Sequence, residues 1–195
     1  MTGNEENFVK NVVNSSIDVI SSINEIHEDI DKAVKTLEEC LKQKNKIIIF
    51  GNGGSAADAQ HIAAELISRF YKDRKSIPAI ALTTDSSIIT SIGNDYSFEL
   101  IFSRQCEGLV NEGDVVIAIS TSGNSKNVLE GIKVAKKKNA KIIGLLGNDG
   151  GEILLQTDIA IVVNSKSTPR VQEAHRVIYH IICEEIEKKI VEKEG

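Results

Sequence analysis

Five short apolar runs constrain this chain more than any other feature of it: "KIIIF" (46–50), "PAIAL" (78–82), "DVVIAIS" (114–120), "AKIIGLL" (140–146) and "DIAIVV" (158–163). Each is continuous rather than alternating and rich in Ile and Val, the pattern of strands covered on both faces. Helical stretches separate them, near 55–69, 86–93, 97–110, 125–138 and 170–192. Alternation of this kind predicts an α/β fold, a three-layer, doubly wound sandwich around a five-stranded parallel sheet. No internal repeat, low-complexity tract or linker interrupts it.

Upstream the pattern differs. Between Glu5 and Lys44 there is no strand signal, and neither glycine nor proline follows Gly3. Val9, Val13, Ile20, Ile23, Ile30, Val34, Leu37 and Leu41 recur at spacings of three, four and seven, close to a heptad. "NEIHED" (24–29) marks a break between two helices, and His27, with no partner nearby in sequence, reads as structural. The stripe is longer than one face of a sheet requires, so it is expected to pack against another subunit as well as the core. The chain therefore divides into N-terminal helices, 1–45, and a sheet domain, 46–195.

Composition closes off several classes of function. A net charge of −5 leaves no electrostatic footprint for nucleic acid or an anionic membrane. No run approaches the roughly 20 apolar residues of a membrane span, and no signal-peptide core stands at the N-terminus. Cys40, Cys106 and Cys183 are widely spaced, as buried thiols of a reducing compartment would be. A cytoplasmic protein is expected.

Ligands of parallel sheets bind at the C-terminal ends of strands, beside helix N-termini. Three segments qualify: "GNGGS" (51–55), "STSGNS" (120–125), and "TTDSS" (83–87) with "GNDYS" (93–97) after it. Any one of them could be ordinary capping and turn chemistry. "GNGGSA" also meets a loose dinucleotide pattern, with Asp85 as the ribose acid, although Asp85 lies 34 residues beyond Gly51 rather than about 20. "STSGNS" discriminates, because a dinucleotide fold has no need of a second hydroxyl-rich phosphate cradle. The pair of loops suits a sugar phosphate.

His61 and Glu65, four residues apart, share one face of the helix after the first loop, amid Ile62, Ala63, Ala64, Leu66 and Ile67. The final helix adds Gln172, His175 and His180. Gln172 and His180 are eight residues apart, about 12 Å along the axis. They could share one ion only at full reach, or else serve from different subunits. His, Glu, Gln and His would form a mixed N/O site of the kind zinc accepts.

"GNGGSAADAQHIAAEL", "IGNDYSFELIFSRQ", "ISTSGNSKNV", "NDGGEI" and "RVQEAHRVIYHI" together resemble the phosphoheptose isomerases of the sugar isomerase (SIS) domain superfamily, over nearly the whole chain. The resemblance implies an SIS-type fold and a homotetramer with one Zn2+ per subunit. It also implies conversion of sedoheptulose 7-phosphate to D-glycero-D-manno-heptose 7-phosphate, the first step toward nucleotide-activated heptoses. Substrate contacts implied in this way are Asn52, Gly53, Gly54 and Ser55, Asn94 and Asp95, Glu65 and Gln172, with Ser120, Thr121, Ser122 and Ser125 holding the phosphate. The implied metal ligands are His61, Glu65, Gln172 and His180, with Glu65 as general base and His180 as general acid. Some members carry an aspartate where this chain has Pro169, so that contact does not carry over. A non-catalytic relative that binds the bacterial replication initiator is the alternative. It lacks the glutamate and histidine that stand here as Glu65 and His180.

Overall fold

All five apolar runs form strands: β1 (Ile47–Gly51), β2 (Ala79–Ala81), β3 (Val115–Ser120), β4 (Lys141–Gly147) and β5 (Ile159–Val163). The computed structural model describes residues 3–194, so positions 1, 2 and 195 of the two predicted units lie outside it. The sheet order is β2-β1-β3-β4-β5, and every pairing is parallel. Its helices are α1 (Gly3–Ser21), α2 (His27–Lys42), α3 (Gly54–Ile67), α4 (Ser86–Asp95), α5 (Ile101–Leu109), α6 (Lys126–Lys137), the single-turn α7 (Gly151–Leu154) and α8 (Thr168–Glu194).

Side chains along a strand alternate between its faces, and the core divides accordingly. Ile47, Ile49, Val115, Ile117, Ile119, Ile143 and Leu145 face the layer built from α1, α2, α3 and α8. Ile48, Phe50, Val116, Ala118, Ile142 and Leu146 face α5 and α6. The continuous Ile/Val runs of the sequence are thus two interleaved sets, one for each layer. The three cysteines are buried free thiols, and burial pushes Cys106 and Cys183 up to about 12.

The N-terminal stripe proves to be two faces. A 3-10 turn over Ser22–Ile26 breaks the helix where "NEIHED" begins, and the His27 ring bonds the Asn24 carbonyl at 2.9 Å. Ile23, Ile30, Val34 and Leu37 enter the chain's own core, and Ile20 packs against it. Val9, Val13 and Ile17, spaced by four, are instead 62%, 49% and 54% exposed, with Phe8 at 68%. Among the described residues of α1, these apolar side chains are the ones left exposed.

His175 ties α8 to the sheet. It is fully buried, its Nε2 lies 3.0 Å from the Leu146 carbonyl, and its Nδ1 has no partner. Nε2 must therefore carry the proton and donate. Burial pushes the ring down to about 4 from 6.5, against the opposing pull of the Leu146 carbonyl. The unfolded chain thus binds the extra proton first as acid is added. Stability from this group is complete above pH 6.5, is lost as pH falls below it, and is gone below about 4. At about 1.4 kcal/mol per pH unit, the whole gap is worth about 3 kcal/mol. Denaturant titrations at neutral and acid pH should show that share of the loss in the native protein and not in His175→Gln.

Candidate functional site

The two loops at the ends of β1 and β3 act as one piece. Asn52 and Asn127 form a reciprocal amide pair, each Nδ2 donating to the other's Oδ1, at 2.8 and 2.9 Å. Asn127 Oδ1 also accepts the N–H of Val128. Gly53, at φ +56, makes the turn into α3 that a side chain would strain. Ser55, on the first turn of α3, is 3% exposed.

In the second loop Ser120 is buried, with Oγ 3.1 Å from Ser125 Oγ. Ser122 is exposed, and its hydroxyl accepts the N–H of Asn124 at 3.2 Å. Gly123, at φ +67, turns the chain between Ser122 and Asn124 so tightly that a Cβ would meet the Gly150 backbone. Ser125 occupies the N-cap position of α6, yet its side chain caps nothing. A hydroxyl at a helix start that does no capping is a spare donor for an anion.

The third segment behaves differently. Asp85 accepts the Ile88 N–H at 2.9 Å and is the N-cap of α4, which accounts for its place in the sequence without a ribose. Asn94 and Asp95 close α4, both exposed, with Asn94 donating to Asp95 at 2.9 Å. The bonds that join the other two loops do not include them.

Helices α3 and α8 run side by side in the same direction, in matched register. The Gln172 carboxamide lies against Gly54, Arg176 and Tyr179 reach Asp58, and Tyr179 and His180 reach His61. This register gathers the ligating atoms of His61, Glu65 and His180 within 4.8 Å of one another. His61 Nε2 stands 2.9 Å from Glu65 Oε1, and its Nδ1 stands 2.9 Å from the Tyr179 hydroxyl. Two imidazole nitrogens and a carboxylate oxygen are a donor set that zinc accepts. Gln172 stands apart, about two turns up α8, where it lines a cavity of about 300 Å³ with Gly54, Asp58, Pro169 and Arg176.

Burial, reinforced by the neighbouring His61, pushes the His180 ring below its ordinary value, while the Glu65 carboxylate pulls the other way. The Phe70 ring covers it, centroid to centroid 5.7 Å. Burial and the Asp58 carboxylate push the Tyr179 hydroxyl up to about 12. Tyr179, Asp58 and Asn127 are absent from the sequence-derived site. Tyr179 reads there as one more member of an apolar run, and nothing in "SGNSKN" marks Asn127 out.

Two linked loops at strand ends and a His–Glu–His cluster, on a parallel α/β sheet, accord with the class to which the chain's relatives assign it, enzymes that isomerise sugar phosphates. The SIS domain family model matches residues 11–147. The chain belongs to the phosphoheptose isomerase family within it, a family of aldose–ketose isomerases. It is 61% identical to the phosphoheptose isomerase of a Nitratiruptor species over 150 residues, 77% of this chain and 80% of that one. It is 50% identical to that of Sulfurimonas denitrificans over 186 residues, 94% and 95% of the two chains. The solved phosphoheptose isomerase of Neisseria gonorrhoeae superposes with a TM-score of 0.89 at 40% identity, over 94% of this chain and 98% of that one.

Proposed function

We propose that this chain converts the ketose sedoheptulose 7-phosphate to the aldose D-glycero-D-manno-heptose 7-phosphate, in the cytoplasm, as the first step toward nucleotide-activated heptoses. The observation that carries the reading is the convergence of His61, Glu65 and His180. The hydroxyls and backbone of 120–125 hold the phosphate, and Asn52, Gly53, Gly54, Ser55, Asn94, Asp95 and Gln172 contact the sugar. Isomerisation moves a proton between adjacent carbons. Glu65 takes it from C1, leaving an enediol, and returns it at C2. His180 gives a proton to the C2 oxygen and recovers one from the hydroxyl on C1. A neutral imidazole keeps one N–H while its other nitrogen is a ligand, and a carboxylate has two oxygens, so each group can serve both ways. His61, Glu65 and His180 would hold the zinc, which would supply positive charge to stabilise the developing oxyanion.

The non-catalytic alternative gains no support from relatives that carry the isomerase name. A coupled assay with sedoheptulose 7-phosphate, with and without a chelator, tests the proposal. Turnover that chelation abolishes and zinc restores is expected. An inert protein would refute the substrate, and undiminished turnover without metal would refute the zinc.

The Ser122→Ala, Ser125→Ala double variant should weaken sugar-phosphate binding by about tenfold or more, from hydrogen bonds of about 1 kcal/mol or more each. The Ser125 hydroxyl caps nothing, so the melting point should fall only by the share of its bond to Ser120 and of the Asn124 N–H bond to Ser122, a smaller effect than the loss of affinity. Lost stability with retained affinity would make the loop a cap instead; calorimetry and melting on one sample decide.

We further propose a homotetramer whose active sites lie at subunit junctions, Gln172 of the partner subunit completing the ligand set. Support comes from the separation of Gln172 from the cluster, and from exposed Ile67, Tyr71 and Ile181 beside the cluster. The outer face of α1 lies beside the start of α8, where Arg170 donates to the Val12 carbonyl at 2.9 Å. Val13→Asp with Ile17→Asp should leave a folded but dissociated and inactive protein. Light scattering showing a fully active monomer would sink the junction while leaving the isomerase standing.

A further inference from the structure

Behind His61 lies a set of groups that the isomerisation itself does not use. The Tyr179 hydroxyl, on a residue 1% exposed, is 2.9 Å from His61 Nδ1, 3.1 Å from Arg176 Nε and 3.4 Å from Asp58 Oδ1. Asp58 is 2% exposed and pairs with Arg176 Nη2 at 3.3 Å. A hydroxyl has one proton to give and two lone pairs to fill. Arg176 can only donate, so it occupies one lone pair. Given to the Asp58 carboxylate, the charged acceptor at 3.4 Å, rather than to the ring nitrogen at 2.9 Å, the proton leaves one lone pair of the hydroxyl open. The remaining lone pair accepts a proton from His61 Nδ1. Nε2 is then bare, and its lone pair faces Glu65 Oε1 at 2.9 Å. Two acceptors at that distance repel unless a cation lies between them.

We propose that Tyr179, backed by Asp58, is a positioning residue that fixes the Nδ1–H tautomer of His61 and so presents Nε2 as a metal ligand. The proposal rests on the zinc reading of the cluster, and extends it to two residues outside the ligand set. Outer partners of ligating histidines typically contribute 10–100-fold in metal affinity. Tyr179→Phe keeps the buried ring and removes only the hydroxyl.

The test is competition for zinc between the folded, metal-free protein and a chromophoric chelator, with melting curves of the same samples. Tyr179→Phe should bind zinc about 10–100-fold more weakly than the unaltered protein. Asp58→Asn, which keeps the hydroxyl but removes the anion behind it, should weaken binding in the same direction. Unchanged zinc affinity in Tyr179→Phe, with only its melting point lowered, would give Tyr179 a packing role and overturn the proposal. Should Tyr179→Phe not fold, unchanged affinity in Asp58→Asn overturns it. An unaltered protein that binds no zinc would overturn the zinc reading itself.

Discussion

Glu65→Gln and His180→Ala should each lower turnover of sedoheptulose 7-phosphate by about two to four orders of magnitude, the usual scale for a general acid or base. Both proteins should stay folded. Glu65 and His180 are only half-buried, and the link from α3 to the loop after it runs through the Glu65 backbone carbonyl, which accepts Arg74 Nη2 at 2.8 Å. Glutamine still offers His61 a polar partner but cannot lift a carbon-bound proton. Assaying at saturating zinc separates lost base chemistry from lost metal. Turnover at the native rate in both variants would remove these residues from the chemistry.

The other large effect lies in a buried charge. Glu187, on α8, accepts the backbone N–H groups of Phe70, Tyr71 and Lys72 at 2.8, 2.7 and 2.9 Å. Arg74 Nε stands 3.2 Å from its Oε1 as an ion pair, with side-chain exposures of 1% and 3%. Burial pushes the Glu187 carboxyl up, but the three N–H donors and Arg74 outweigh it and hold the group below its ordinary value. Glu187→Ala would strand a guanidinium in the interior and leave three N–H groups without an acceptor. Breaking such a pair from one side costs about 3–5 kcal/mol, to be read from denaturant midpoints at pH 7. Activity should fall as well, because the same loop carries Phe70 over His180. A loss under about 1 kcal/mol would mean that the pair is effectively solvated.

Strands and long helices were legible because burial imposes a period, and a period survives in sequence. The turn α7, of four residues, has none to show and was missed. His61 and Glu65 could be paired from their spacing on one helix. That His180 joins them depends on how α3 and α8 lie together, which neither sequence segment encodes alone. The α1 stripe misled in its detail, since Ile20 and Ile23 serve the chain's own core while Phe8 and Ile17, outside the predicted set, are exposed. Glu187 sits in "CEEIEKKI", where one acid among several reads as solvent-facing; only the arrival of 70–74 reveals its task.

The parallel alignment of α3 with α8 makes α8 a ruler. Gln172, Arg176, Tyr179, His180 and Glu187 are all read out from one helix at fixed intervals, the first four against a second helix and Glu187 against the loop that follows it. Deleting one residue between Gln172 and Tyr179 would turn everything beyond it by about 100° and shift it 1.5 Å. Cluster, tyrosine and buried carboxylate would lose aim together, although every residue kept its neighbours in sequence. The connection between β5 and α8, residues 164–167, has no such phase to keep. Changes of chain length should therefore be absorbed there, whereas α8 from 172 to 187 accepts substitution but not insertion or deletion.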